Sequence, residues 1–150
     1  MIDLREINFL RANLKEINLE RANLEKIDLT RVNLRETNLE GADLDWAILA
    51  GANLVGTKLE KANLKGANLQ GANLFMANLR GANLQGANLE GSDFEGVDLK
   101  GTDLKGANLE GARNLSFDQL SRVKTLYDTK LDKELLISLK EKYPALFEVP

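Results

Sequence analysis

The sequence contains no cysteine, no histidine and only two prolines. Without cysteine there are no disulfides, thiol nucleophiles or thiolate zinc sites. Without histidine there are no imidazole metal ligands, and the commonest general base near neutral pH is missing. A chain free of cysteine fits a reducing compartment, so a cytoplasmic location is the expectation. Aromatic residues make up 5% of the chain, too few for a core built on Phe, Tyr and Trp. The longest uninterrupted apolar run, residues 46–50, is far too short to cross a bilayer. The N-terminus lacks the basic-then-apolar pattern of a secretory signal, and no membrane is expected as a partner. Neither charge sign dominates: 20 basic and 23 acidic residues leave a net charge of −3. That balance announces no basic surface for nucleic acid, so none is expected as a partner.

What the chain does have is a period of five. From Leu4 to Leu109 every fifth residue is a central apolar one: 20 of the 22 positions are Leu, and Phe9 and Phe94 fill the others. Two residues before it stands a small or β-branched residue, Ala in 12 cases. The residue just before it is Asn or Asp in 20 of 22 repeats, with Ile48 and Lys58 as exceptions. All 12 glycines follow a central residue by two.

A helix cannot use this period, because at about 100° per residue the leucines would spread around the whole barrel of the helix. A flat strand fails as well, since an odd period alternates faces. The conflict disappears if the chain turns a corner in every repeat. Each unit is then a very short strand with Ala in, Asn out and Leu in, and the next two residues make the corner. Glycine at the second corner position supplies backbone angles that side chains resist. Stacked coils then pair their backbones as parallel strands.

The run from Ala62 to Leu74, ANLKGANLQGANL, resembles the consensus of the pentapeptide-repeat family, Ala-Asp/Asn-Leu-x-x. The resemblance covers about three quarters of the chain and implies a β-solenoid: a right-handed, four-sided parallel β-helix. With four sides the rod would be about 26 Å long at a strand spacing of about 4.8 Å. Residues 20 apart would then stack, yet like-charged pairs at that spacing, such as Glu40 and Glu60, outnumber opposite ones such as Asp45 and Lys65. Exposed pairs of this kind are weak and do not fix the register.

Early corners from Glu6 to Glu36 hold Glu, Arg or Lys where later ones hold mostly Gly. Side chains avoid positive φ, so the early corners are expected to use turns with negative φ. Residues 1–112 read as the solenoid and residues 113–150 as a small α-helical cap on its end. In that tail Ser116 and Gln119 form a capping box, and Phe117, Leu120, Val123 and Tyr127 follow helical spacing. Asp132 reads as the N-cap of a second helix, which Pro144 stops.

The Asp positions Asp3, Asp28, Asp43, Asp93, Asp98 and Asp103 are the nearest thing to a chemical site, but Asn and Asp beside turns ordinarily satisfy local backbone groups. No catalytic residue, metal ligand or cofactor is expected. Departures from the consensus say more. Val55, Phe75, Met76, Trp46 and Ile48 stand where side chains face out, and together they make a candidate protein-binding patch. Single exposed apolar residues are also ordinary surface. Lys26, one coil before Trp46, is placed to lie over its ring. Glu20, Glu40 and Glu60 line up as an acidic column, read as solvated surface charge. In the first coil Ile2, Leu4, Ile7 and Phe9 are a candidate end-to-end contact for a weak homodimer.

These features point to a non-catalytic scaffold or protein–protein interaction module. The alternative comes from the resemblance: some family members mimic duplex DNA and protect type II topoisomerases from quinolones. Those relatives favour Phe at the central position and dimerise through the C-terminal end. Here Leu dominates, and residues 1–112 carry 13 basic against 17 acidic side chains.

Overall fold

A computed structural model of the 150-residue chain describes residues 3–5, 9 and 12–150. Each described repeat contributes a parallel bridge at its Asn position, and through the rod the partner lies 20 residues on: Asn33 pairs with Asn53, and Asn53 with Asn73. A coil therefore holds four repeats, one to a side.

Three backbone bonds per repeat tie a coil to the next. The Leu34 N–H donates to the Asn53 carbonyl (2.8 Å), the corner residue Glu36 to Val55 (2.8 Å), and Asn53 back to Val32 (3.0 Å). A fourth closes the corner itself, as where Ala42 N–H donates to Leu39 (3.0 Å). Where a coil has neighbours on both sides, every backbone polar group of the short strand is thus used, although no described strand is longer than a single bridge. The central residues point to the axis: Leu24 through Leu89 in that register are fully buried, as is Phe94. The small positions complete the core. Where Thr or Ser occupies one, its hydroxyl finds a carbonyl in the preceding coil, as with Thr37 Oγ1 to Leu14 (2.7 Å) and Ser92 Oγ to Leu69 (2.7 Å). Those bonds make a buried hydroxyl tolerable.

The corners correct one expectation. Glu16, Arg21, Lys26, Arg31 and Glu36 adopt φ between 54° and 61°, the same left-handed region as the later glycines. The described early corners, from Glu16 on, use the same turn as the late ones, because a coil stacks on its neighbour only if each corner bends alike; Glu6 and Arg11 lie outside the described residues. The later non-glycine corners, Trp46, Lys61 and Met76, follow suit.

The tail departs from the helical reading too. The Ser116–Gln119 capping box forms, but helix α1 is short, Phe117–Leu120. The chain then rejoins the coil with a two-residue shift: Thr125 bridges to Asp103, and Lys130 to Asn108. Leu126 and Leu131, five apart, take central places and are buried, and Thr129 takes a small place, its hydroxyl bonded to Leu104 (2.7 Å). Helix α2, Lys133–Lys142, follows, then a 3-10 turn at Pro144–Phe147. The side chain of Asp132 does not cap α2; it accepts the Gly111 N–H instead (3.0 Å), continuing the coil's hydrogen bonding. Leu139 of α2 joins the same buried cluster as the rod.

Candidate functional site

The four faces carry the Asn and Asp side chains, and these are occupied by the fold. Each turns its Oδ1 to the N–H two residues ahead: Asn73 to Phe75 (3.0 Å), Asp28 to Thr30 (2.9 Å), Asp43 to Asp45 (3.1 Å), Asp98 to Lys100 (3.0 Å). Several also link coils along the rod, as where Asn33 Nδ2 donates to Asn13 (2.9 Å) and Asn63 Nδ2 to Asp43 (3.0 Å). Asp3, Asp28, Asp93, Asp98 and Asp103 lie below the ordinary carboxylate value. Hydrogen bonds from Arg5 bring Asp3 down to about 2, and the side chain and N–H of Thr30 lower Asp28. Asn114 and the Glu95 N–H lower Asp93. Burial pushes Asp103 up, but Lys124, Gln85 and the Lys105 N–H outweigh it and leave it below its ordinary value. Among the described residues no cluster of three or more Asp and Glu side chains could hold a metal. In the acidic column Glu20 meets Arg21 (3.6 Å) and Glu60 accepts from Asn78 Nδ2 (2.6 Å).

The five apolar candidates do not form one patch. Trp46 occupies one corner, with Ile48 on the side that follows it. Val55, Phe75 and Met76 lie on the corner half a coil away, because ten residues are two of the four sides. Val55 and Phe75 stack in successive coils, as the Gly56 N–H bond to Phe75 shows (2.9 Å), and both are half-buried; Met76 is exposed. Of the end contact, Leu4 and Phe9 are half-buried against the core, while Ile2 and Ile7 fall outside the described residues.

At the Trp46 corner the column above is all glycine: Gly66, Gly86 and Gly106. The indole leans onto Gly66, where an added Cβ would lie 2.7 Å from the ring. Beyond it runs a groove of about 270 Å³ floored by these glycines and walled by Lys65, Gln85 and Lys105, with Asp128 at its far end. Trp46 remains 58% exposed. Lys26 does not lie over the indole as expected; its ammonium pairs with Glu25, the residue just before it. Lys105 instead lies over the Tyr127 ring, 5.4 Å from its centre. The groove escaped the sequence reading, though glycines spaced by 20 after a tryptophan are a visible signal. No described helix is long and apolar enough to cross a membrane.

The family model for pentapeptide repeats, with 8 copies, matches residues 12–49, 37–74 and 77–113. Among solved structures, a pentapeptide repeat protein (Rfr23) from the cyanobacterium Cyanothece 51142 is 38% identical, with 80% of this chain and 88% of that one covered and a TM-score of 0.41. A thylakoid-lumen pentapeptide repeat protein of Arabidopsis thaliana is 24% identical over 86% and 74% of the two chains, TM-score 0.47. QnrB1, a plasmid-mediated fluoroquinolone resistance protein, is 23% identical over 93% and 71%, TM-score 0.43. No curated protein matches the chain. The rod is a right-handed β-helix followed by a small C-terminal helix.

Proposed function

The chain belongs to the pentapeptide-repeat family, and on that premise we propose that it is a non-catalytic scaffold that binds another protein along the Trp46 corner. In this reading residues 1–112 are the binding rod, and residues 113–150, which add a last partial coil before α2, close its end. The observation that carries the proposal is the exposed indole of Trp46, laid against Gly66 at the head of a glycine-floored groove. Trp is favoured at the energetic centres of protein interfaces. Lys65 and Lys105 along the wall suit a partner segment that is extended and carries carboxylates.

The test is affinity capture from the producing cells with the parent chain, Trp46→Gly and Phe75→Ser, each first checked for a cooperative melting transition that shows the rod is folded. The parent and Phe75→Ser are expected to retain a common partner that Trp46→Gly loses. Loss with Phe75→Ser alone moves the site to the opposite corner. Retention by both variants overturns docking at either corner.

A further inference from the structure

The Trp46 corner carries both a projecting ring and an empty slot. Along it the corner N–H groups bond coil to coil: Trp46 to Lys65, Gly66 to Gln85 and Gly86 to Lys105 at 2.8 Å, and Gly106 to Tyr127 at 2.9 Å. Trp46, Gly66, Gly86, Gly106 and Asp128 therefore stand on five successive levels, about 4.8 Å apart. The indole reaches one level along the rod and covers Gly66. Gly86 and Gly106 are exposed, and no side chain from another coil comes within 4 Å of where a Cβ on either would stand.

The two flanks of the groove are polarised along the rod. One is the bridged column of Asp28, Ile48, Asn68, Asn88, Asn108 and Lys130. The other is Glu25, Asp45, Lys65, Gln85, Lys105 and Tyr127, which precede the floor residues by one. Acids gather at the Trp46 end, where Glu25, Asp28 and Asp45 stand, and Lys105 and Lys130 mark the far end. Three charges break that order: Lys26, already held by Glu25, then Lys65 and Asp128.

A two-fold axis through Gly86, perpendicular to the rod, makes this surface complementary to itself. Level for level, Gly66 then faces the partner's Gly106, and Trp46 faces the partner's Asp128. Each indole, lying over Gly66, enters the empty slot at the partner's Gly106, beside the partner's Lys105, a cation suited to an indole face. The flanks cross over in the same way. Asp45 comes opposite the partner's Lys130, and the exposed Ile48 opposite the partner's Tyr127. The partner's Asp128 falls between Lys26 and Lys65, and on the axis Gln85 meets the partner's Asn88. A parallel pair would set indole against indole and acid against acid, and would fill no slot.

We propose that two copies of this chain pair antiparallel along the Trp46 corner, each indole filling the glycine slot of the other. This rests on the reading of that corner as a protein-docking surface and names a second copy as its occupant. The contact spans four level spacings, about 19 Å, so it is small, and association is weak and concentration-dependent. The two-fold closes the assembly at two chains.

The test is sedimentation velocity of the full chain from micromolar to millimolar concentration, with emission of the single tryptophan followed over the same range. A monomer–dimer equilibrium is expected, with emission moving to the blue along the same curve. Trp46→Gly and Gly106→Asn are each expected to weaken dimerisation about tenfold or more, the scale of a lost interface tryptophan. Asn is among the side chains that best tolerate a left-handed corner. Gly71→Asn carries the same backbone cost at a corner with open space and is expected to dimerise like the parent. A second arm reverses charge: Asp45→Lys and Lys130→Asp each weaken the dimer alone, and mixing the two chains restores it. A strict monomer at millimolar concentration, a dimer undiminished in Gly106→Asn, an equal loss in Gly71→Asn, or no recovery on mixing overturns the pairing. A monomer whose Trp46 still governs capture of a different protein overturns this inference alone and leaves the corner a docking surface.

Discussion

A left-handed corner residue that is not glycine costs about 1–2 kcal/mol. The chain accepts that cost at Arg31 because the corner must match those above and below it for the ladder to form. Arg31→Gly is therefore expected to raise stability by about 1 kcal/mol in a urea melt. A loss instead would mean that the Arg31 side chain, which leans on Gly51, contributes more than the strain removes. Glycines divide by what lies beneath them. Gly71 has open space around an added Cβ, so Gly71→Ala carries the backbone cost alone. Gly66→Ala meets the Trp46 ring as well and must displace it. The greater destabilisation of Gly66→Ala should come with a shift in emission from the single tryptophan, and an unchanged spectrum would place the indole elsewhere. At the axis, Leu69 is fully buried. Leu69→Ala is expected to cost about 2–5 kcal/mol, read by the same melt. The register of these leucines was legible because one residue type repeats at one spacing. The corner angles were not, because the preference against positive φ is a local cost of order 1 kcal/mol per residue, and three ladder bonds per repeat override it.

At the scale of the element, the tail shows how a short insertion hides a repeat. The helical spacing of Phe117, Leu120, Val123 and Tyr127 suggests one long helix, and a helix does start at the Ser116 cap. The five-residue spacing of Leu126 and Leu131 was equally present, but offset by two from the main register, because α1 takes up two extra residues. That return to the coil is fastened by Asp103, whose carboxylate meets Lys124 Nζ (2.9 Å) and Gln85 Nε2 (3.0 Å). Burial disfavours its charge, and these partners more than compensate, so its pKa lies below the ordinary value. The unfolded chain then takes up this proton more readily than the folded one. The Asp103 contribution is complete above a pH of about 4 and is lost as pH falls through the folded value. Melting temperature should drop over that acid range, with a shallower drop in Asp103→Asn. Identical pH profiles for the two chains would show that the Asp103–Lys124 pair does not fasten the tail.

For the whole molecule, the 20-residue coil decides what meets what. It separates Trp46 from Phe75 by half a coil, so residues that read as one apolar group in the sequence occupy opposite corners. That division follows from the number of sides, which the period of five does not contain. It was available only through the resemblance, and the like-charged pairs argued against it with too little energy to matter.

The same geometry governs how the rod opens. Each coil bonds only to the coils before and after it, so stability is a sum of neighbour terms and unfolding proceeds from the ends. Native-state amide exchange should therefore be slowest at central donors such as Leu64 N–H, bonded to Asn83 at 2.8 Å, and faster toward Leu14 and Leu109. The C-terminal end offers a sharper version of the test. Gln119 closes two carbonyls of the last coil, so Gln119→Ala should speed exchange at neighbouring Gly101 and Leu104 while leaving Leu34 unchanged. Uniform protection from Leu14 to Leu109, with Gln119→Ala lowering all of it equally, would show that the coils open only together and that the neighbour-by-neighbour description fails.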